Sequence, residues 1–253
     1  MRTEAWMHSK NIDIILEVGK ELMECGAETI VIEECLLRLA GKYGYGEVSL
    51  TVLPKSILMS ADRDGHKETK MKHVGEVHPD FTKLSAIYKS CMSEAHEEPM
   101  ILSSKLALIM SYNSSHKARF VTTPIAVAAF AGIFGCSFYG ATLAFLASFV
   151  SFGAKELLLL RYMNPMLANL LCAFAATLLV FVFGHSLSPV ELVASQAAAV
   201  IFLVPGVQLI NAFEDLLKGH YLNGVARGMR AFFLTFGVVA GIVCGLFVER
   251  AIG

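Results

Sequence analysis

Charged residues are scarce in the second half of the chain. Of its 21 Lys and Arg and 22 Asp and Glu residues, only 11 lie from Phe120 onward. The chain as a whole is 55% hydrophobic, and its mean hydropathy of +0.57 exceeds that of an ordinary soluble domain. So much apolar surface needs lipid as its solvent, and the sequence therefore predicts that the second half lies in a membrane.

Other absences exclude whole classes of function. The chain has no GxSxG, HExxH, GxxxxGK[ST] or GxGxxG motif, which removes the usual signals of hydrolases, zinc proteases and nucleotide-binding enzymes. A net charge of −1 without a dense Lys/Arg patch argues against nucleic-acid binding. The six cysteines form no CxxC pair, which fits a reducing compartment. We expect neither an enzyme nor a cofactor, and transport driven by ATP would need a separate ATPase subunit.

Two groups in the first half contain side chains that could bind a metal. They are His66, His73 and His78, and Glu94 with His96, Glu97 and Glu98. Their spacing matches no metal motif, and the second group is typical of a solvated helix end. We expect no bound metal.

The first hundred residues alternate between helical and strand periodicity. Residues 12–23 are apolar at helical spacing up to Cys25-Gly26, and a second amphipathic helix follows from Glu28, so the two are predicted to form a helical hairpin. A period of two then begins at Val48, with turns at Pro54-Lys55 and 62–65, and predicts a three-stranded antiparallel sheet. An amphipathic helix is predicted from Phe81. The domain is α+β.

The second half contains five apolar stretches, each near the roughly 20 residues that cross a bilayer. They are residues 121–138, 141–160, 166–183, 190–210 and 229–248. The second stretch contains Lys155 and Glu156 near one end, where a long side chain can snorkel or pair. The predicted fold is an α-helical membrane bundle of about five transmembrane helices preceded by a small α+β cytoplasmic domain. The predicted domains are 1–100, a connecting helix at 101–119, and a transmembrane domain at 120–253.

Positive charges predict the orientation. Lys and Arg residues precede the first stretch and lie between the second and third and between the fourth and fifth, whereas 139–140 and 184–189 have none. By the positive-inside rule the N-terminus is cytoplasmic and the C-terminus is outside, with Arg250 as the one exception. We expect a cell membrane location, the inner membrane of a bacterium, with the lipid bilayer as a partner.

The fourth apolar stretch is interrupted by Pro205 and Gly206. Such a break frees backbone groups that must be satisfied by polar partners or by a lined cavity, and it commonly marks a solute site. Gln208, Asn211 and Asp215 follow at three- to four-residue steps and should share one helix face. These five residues are the predicted substrate pathway, and Asp215 is the predicted coupling group, because a carboxylate partly desolvated between helices can bind and release protons.

The alternative is structural. Pro205 and Gly206 would then kink a helix for packing, and Asp215 would pair with Lys218, Arg227 or Arg230. Further polar positions favour helix capping or hydrogen bonding between helices. They are Thr122, Thr123, Pro124, Asn164, Pro165, Asn169 and Gln196.

The ordered combination of several segments resembles the threonine/serine exporter family. These segments are Gly26-Ala27-Glu28-Thr29 with Glu33, the strands around Pro54, and Val204-Pro205-Gly206 followed by Asn211, Asp215, Gly219-His220, Gly224 and Arg227. The resemblance runs from about residue 12 to 248. Long members of that family carry about ten spans, and this chain resembles the short members, which act with a separate small membrane protein.

The resemblance implies export of small amino acids such as threonine and serine, or of dicarboxylates such as succinate, driven by the proton-motive force. It implies as partners a small multi-spanning membrane protein and a small-molecule substrate, in an oligomeric assembly. It supplies no catalytic residues, so the site residues above rest on physical inference. Two other functions stay open: a sensor or scaffold subunit that carries no solute, and a membrane-bound enzyme with a catalytic front domain.

Overall fold

The computed structural model describes the backbone of residues 2–63, 65–93, 99–112 and 116–252, and their side chains except at 2–10, 99–100 and 116–117. The second group of potential metal ligands, at 94–98, lies outside the described residues. The chain divides into two compact units. The first combines Met1–Ser114 with Val207–Gly228, and the second combines Ser115–Gly206 with Met229–Gly253.

The first unit begins with the predicted helical hairpin. Helix α1 spans Arg2–Glu24 and α2 spans Thr29–Lys42. Gly26 has φ +87°, a left-handed conformation that glycine adopts without strain, and it turns the chain between the two helices. The apolar positions recognised from their spacing form one core, which includes Ile12, Ile15, Leu22, Ile32, Cys35, Leu36 and Leu39.

A three-stranded antiparallel sheet packs against this hairpin. The strands are β1 (Val48–Leu53), β2 (Ser56–Arg63) and β3 (His66–His73), in the order β1-β2-β3. The register pairs Val48 with Ala61 and Ile57 with Lys72. Alternate residues of the central strand, Ile57, Met59 and Ala61, are completely buried, as the period of two requires when one sheet face meets the core. The predicted sheet is confirmed.

Two further helices complete this core. Helix α3 spans Phe81–Met92 and α4 spans Pro99–Ser111. The Asp80 side chain caps α3 by accepting a hydrogen bond from the Lys83 N–H (3.0 Å). Leu102 and Leu106 of α4 are buried in the same core as α1 and α2. The first unit thus has one apolar interior.

The second unit is built from long apolar helices. They are α5 (His116–Ile133), α6 (Phe138–Leu160), α7 (Pro165–Phe183) and α8 (Pro189–Val200), followed by the short 3₁₀ helix Ile201–Leu203. Helix α9 (Gly206–Leu217) follows and lies in the first unit except for Gly206, and α10 (Tyr221–Ile252) begins in the first unit and continues in the second from Met229. Among the described residues, α6, α7 and α10 are long and apolar enough to cross a membrane, and α8 with α9 adds a fourth if that bent pair counts as one span. A helical membrane bundle is confirmed, and the count of five stays a prediction.

Helix α10 begins earlier than the fifth predicted span. The sequence places that span at 229–248 and treats Arg227 as part of a preceding loop, but the structure includes it in the helix. No proline lies between Tyr221 and Met229, and the chain is broken instead at Gly219, where φ is +86°. Arg227 therefore projects from a rigid element, one helical turn after Asn223.

Helices α7 and α10 approach each other closely along a row of glycines. A Cβ atom at Gly237 would overlap the Met166 carbonyl, and one at Gly241 would overlap the Leu170 carbonyl. A Cβ at Gly245 would lie 2.9 Å from the Thr177 side chain. Small residues four apart let two helix backbones come together where lipid offers no hydrophobic driving force. This row fixes the contact between α7 and α10 within the second unit.

Candidate functional site

The predicted interruption is present at the end of α8. Val204 is extended, with φ −71° and ψ 126°, and α9 begins at Gly206. The break leaves the Leu203 carbonyl without its helical donor, and the side chain of Asn169 on α7 donates to it (3.4 Å) and to the Leu234 carbonyl (3.4 Å). Asn169 is thus a helix-to-helix hydrogen-bonding residue, one of the two roles expected for it. Its amide satisfies a carbonyl that Pro205 exposes.

Two predicted pathway residues contact the turn between α1 and α2 within the first unit. The Asn211 amide donates to the Gly26 carbonyl (2.7 Å), and Asp215 Oδ1 accepts from the Thr29 N–H (3.0 Å). Thr29 is the first residue of α2, so Asp215 places its negative charge at a helix N-terminus, where the dipole stabilises it. Asp215 is completely buried and Asn211 nearly so. The polar face of α9 therefore covers the Gly26–Thr29 turn.

The first two turns of α10 contribute two more polar side chains. Arg227 Nε lies 3.3 Å from Asp215 Oδ2, and Arg227 Nη1 donates to the Ala27 carbonyl (3.0 Å). The Asn223 amide donates to Thr29 Oγ1 (3.1 Å) and to the Val52 carbonyl of β1 (2.9 Å). Four side chains from two helices thus satisfy one turn and one strand end. We call these side chains the Asp215 cluster: Asn211, Asp215, Asn223 and Arg227.

The charges in this cluster are balanced but buried. Among the described residues, no group donates a hydrogen bond to Asp215 Oδ2. The charge on this oxygen is compensated by the ion pair with the Arg227 guanidinium. Removing one partner of a buried pair typically costs about 3–5 kcal/mol, because the remaining charge is left without compensation. The cluster is therefore sensitive to the charge state of either partner.

More exposed charges surround the cluster. Lys218 Nζ bonds Glu28 (2.7 Å) and Glu214 (3.0 Å), and these hydrogen bonds raise the pKa of the Lys218 ammonium. His220 Nε2 lies 3.7 Å from Glu33 Oε2. The end of α9 is thus joined to Glu28, which precedes α2, and the following residue His220 lies near Glu33 of α2. These pairs are partly solvated, so each contributes little on its own.

The remaining predicted pathway residues, Pro205, Gly206 and Gln208, are not part of the Asp215 cluster. Gln208 presents a buried Oε1 that accepts no hydrogen bond from any described residue. Pro205 and Gly206 are the last two residues of the segment Ser115–Gly206 of the second unit. A Cβ atom at Gly206 would meet nothing within 4 Å. Gly206 is therefore not required by packing.

One important residue of the site was missed by sequence reasoning. Asn223 is almost completely buried and bonds both α2 and β1. A signal was available, because Asn223 and Arg227 are four residues apart and share a face of an otherwise apolar helix. Placing both in a loop concealed that periodicity. Among the described residues no group of three His, Cys, Asp or Glu side chains is arranged to bind a metal.

The second unit has its own polar contacts. Gln196 of α8 donates to the Thr177 carbonyl (3.4 Å) and to Glu249 Oε2 of α10 (3.0 Å). Asn164 caps α7 by accepting from the Met166 N–H (2.9 Å). Both residues thus have the capping or inter-helix roles expected for them.

The fold and these contacts define a polytopic helical membrane protein with an α+β unit. The family model described as "Putative threonine/serine exporter" matches residues 13–248, so the chain belongs to the threonine/serine exporter family. The resemblance noted in the sequence is confirmed. The membrane location and the transport class follow from that membership together with the apolar helices.

Curated relatives carry transporter names. The chain is 26% identical over 239 residues to "Probable succinate transporter subunit YjjP" of Escherichia coli (strain K12), with 92% of each chain covered, and equally to the protein of that name in Klebsiella aerogenes. It is 21% identical over 253 residues to "Threonine/serine exporter" of Corynebacterium glutamicum, which covers 93% of this chain and 50% of that protein. These names describe transporters, not enzymes. No solved structure matches the chain significantly.

Proposed function

We propose that the chain is one subunit of an inner-membrane secondary exporter for small polar metabolites. Its substrates are small amino acids of the threonine/serine type or dicarboxylates such as succinate, and the proton-motive force drives their export. The names of the relatives support both substrate groups. A carboxylate is the chemistry that the two groups share.

A second membrane subunit is part of this proposal. The relatives covered over 92% of their length are named as subunits, whereas the Corynebacterium exporter is twice as long as the part that matches. A separate small multi-spanning protein would supply the remaining helices, since transporter cores are often built from two related halves. The assembly would be oligomeric, with five spans in this chain, a cytoplasmic N-terminus and an external C-terminus.

The observation that carries the proposal is a buried, ion-paired carboxylate in α9, the helix that restarts after the break in an apolar segment. Asp215 lies three turns after Pro205-Gly206, on the face that also presents Gln208 and Asn211. Ionisable residues in such segments are functional candidates by default. We assign the substrate pathway to Pro205, Gly206, Gln208, Asn211 and Asp215, and the proton coupling to Asp215.

The contacts of Asp215 suggest how coupling would work. A proton on Asp215 would remove the charge that pairs with Arg227 and would weaken the hydrogen bond from the Thr29 N–H. The polar face of α9 would then separate more easily from the Gly26–Thr29 turn. Other charged groups near this contact are Glu28, Glu33, Glu214, Lys218 and His220. Protonation of Asp215 would thus act within the first unit, on the turn that joins α1 and α2.

Efflux measurements test the proposal. Cells are loaded with a threonine- or serine-containing dipeptide, or with succinate, and carry the chain alone, the chain with its small partner, or neither. We expect efflux of one substrate class only when both proteins are present. Equal efflux in all three strains would contradict the exporter assignment.

The second candidate function is a sensor or scaffold subunit. It is favoured by the number of direct contacts between α9, α10 and the Gly26–Thr29 turn, which would relay a signal even without solute movement. In that case Asn211 and Asp215 could be replaced without loss of solute export by the complex. Efflux that depends on these two residues excludes it.

A further inference from the structure

Lys155 is a half-buried cation inside the apolar helix α6. Within the described residues its ammonium makes no hydrogen bond and no ion pair, although Glu156 and the Cys172 thiol lie within electrostatic range. Glu156 is the next residue along the helix, so its side chain leaves the axis about 100° away. An intramembrane lysine without a close counter-ion is costly, and such residues usually face the protein interior and serve a function.

The helical position of Lys155 shows which face it occupies. Ser148 and Ser151 are completely buried, and Lys155 follows them seven and four residues later, on the same side of α6. Ser151 Oγ donates to the Cys172 carbonyl of α7 (3.2 Å). The side of α6 that carries Lys155 is therefore the side that meets α7 and not the lipid.

The facing residue on α7 follows from the antiparallel arrangement. Helices α6 and α7 are joined by only residues 161–164, so they run in opposite directions. One turn from the Ser151–Cys172 contact, toward that connection, lies Lys155 on α6 and Asn169 on α7. Lys155 and Asn169 therefore lie at the same level on facing sides.

Asn169 contacts the interrupted helix end after α8 at the level of Lys155. Its amide contacts the Leu203 and Leu234 carbonyls at 3.4 Å each, and its Oδ1 has no hydrogen-bond partner among the described residues although the side chain is 99% buried. Thr235 follows Leu234, and its hydroxyl is likewise buried without a partner in the described part of the chain. Thr235 lies one turn before Val238, which packs in the same core as Cys172 and Leu203.

We propose that Lys155, Asn169 and Thr235 form a binding site in the second unit for the carboxylate of the transported solute. This proposal rests on the exporter function proposed above. The ammonium supplies the counter-charge, and the amide N–H and hydroxyl groups supply directed hydrogen bonds to the carboxylate oxygens. The long contacts of Asn169 are readily exchanged for shorter ones to an anion. One carboxylate is common to amino acids and dicarboxylates, so a single site serves both substrate groups.

The test compares three variants of the full chain, expressed with its partner. Lys155→Met removes the charge at similar length, Lys155→Arg keeps it, and Arg161→Gln removes an exposed charge from the end of the same helix as a control. Efflux is measured with succinate and with threonine, and binding of the radiolabelled acids is measured on the purified chain in lipid nanodiscs. Membrane level and thermal unfolding are recorded for each variant.

We expect Lys155→Met to raise the KM for the carboxylate about 10- to 100-fold, the effect of losing one charge-assisted hydrogen bond. Lys155→Arg should retain most of the activity, and Arg161→Gln should match the wild type. Competition by succinamide, the diamide of succinate, and by threonine amide adds a readout of charge, because neither compound carries a carboxylate. Wild type should discriminate against each amide, and Lys155→Met should discriminate much less.

Each other result overturns the proposal in a distinguishable way. If wild type exports but Lys155→Met behaves like Arg161→Gln, the carboxylate site is wrong and the exporter assignment stands. If the loss in Lys155→Met is equal for acids and amides and follows the anionic lipid content of the nanodisc, Lys155 binds lipid phosphate instead. If wild type neither exports nor binds either acid, both proposals fail.

Discussion

Asp215 combines two properties that seldom occur together in an apolar segment. It is completely buried, and its charge is held both by Arg227 and by the N–H at the start of α2. Asp215→Asn keeps the shape but removes the charge, so we expect export to lose its dependence on the proton gradient. Efflux measured across a series of external pH values checks this. Membrane insertion should be unchanged.

The neighbouring Glu214→Gln variant is the matched control. Glu214 is more exposed and pairs with Lys218 at the end of α9, so its replacement should leave the pH dependence intact. Export by Asp215→Asn with the wild-type rate and pH profile would show that Asp215 has only a structural role.

The Arg227 side chain allows a separate test of stability. Arg227→Met leaves a buried carboxylate without its counter-charge, so we expect the free energy of unfolding to fall by about 3–5 kcal/mol. The double variant Asp215→Leu with Arg227→Met should recover much of that loss, because no uncompensated charge remains. Chemical unfolding of the purified chain in detergent measures both. Additive losses in the double variant would exclude an energetic pairing.

At this scale the sequence predicted some contacts and not others. The sequence allows Asp215 to pair with Lys218, Arg227 or Arg230, because opposite charges in an apolar segment must compensate each other, and the structure shows the pair with Arg227. The partners Gly26, Ala27 and Thr29 could not be predicted from spacing, since they contribute backbone groups from about 190 residues away. Backbone donors and acceptors have no sequence signature.

The contact between α7 and α10 depends on glycine. Gly241→Leu would push a side chain into the Leu170 carbonyl and the Ala173 side chain. Overpacking of this kind typically costs about 1–3 kcal/mol, so the variant should unfold at a lower temperature. Size-exclusion chromatography after heating in detergent measures the change.

Gly132→Leu is the corresponding control, because a Cβ atom there meets nothing within 4 Å. It should retain the wild-type melting temperature. Equal melting of the Gly241 and Gly132 variants would contradict the close packing of α7 on α10.

The ion pair between Glu17 of α1 and Lys72 of β3 makes a pH-dependent contribution to the free energy of unfolding. Burial raises the pKa of Glu17, but hydrogen bonds and charges from Lys72 and Lys20 outweigh it and hold that pKa below the usual value of 4.5. The pair therefore stabilises the fold above pH 4.5, and the contribution is lost as the pH falls through the lower folded value. Because Glu17 is partly exposed, the gain should not exceed about 1 kcal/mol.

Glu17→Gln should remove that contribution. Unfolding measured at neutral pH and again below pH 4.5 should show a smaller acid loss in the variant than in the wild type. An unchanged difference between the two pH values would show that Glu17 does not contribute.

Elements with strong periodicity were predicted well. The α1–α2 hairpin and the three strands have apolar residues at periods that only one secondary structure explains. The sequence predicts the start of the last span at Met229, because the polar residues Asn223, Arg227 and Arg230 lower the apolar content of the first turns, whereas α10 begins at Tyr221. The side chains of Asn223 and Arg227 make contacts with distant parts of the fold that favour the helix, and such tertiary contacts cannot be recognised from local composition.

At the scale of the whole molecule, the number of spans determines the side of the C-terminus. Five spans with a cytoplasmic N-terminus place the C-terminus outside, whereas four would return it to the cytoplasm. We expect an alkaline phosphatase fused after residue 253 to be active and a green fluorescent protein fused there to be dark. Fusions after residue 112, which the proposed orientation places on the cytoplasmic side, should show the reverse pattern.

A fluorescent C-terminal fusion would instead favour an even number of spans. Helix α5 would be the first candidate for a segment that does not cross, since its described apolar part, Ala118–Ile133, is shorter than the other spans. The exporter assignment does not depend on that outcome. This chain would then be a half-transporter with an even number of spans, and its partner would have to match that number.

The hydrogen bond from Thr29 to Asp215 joins residues 186 positions apart. At about 5–20 residues per second, a ribosome makes the second residue roughly 10–40 s after the first. During that interval the Gly26–Thr29 turn exists without the side chains of α9 and α10 that satisfy it, because these have not yet been synthesised. The first unit can therefore be completed only after residues 115–206 of the second unit, which lie between its two parts in the chain, have been synthesised.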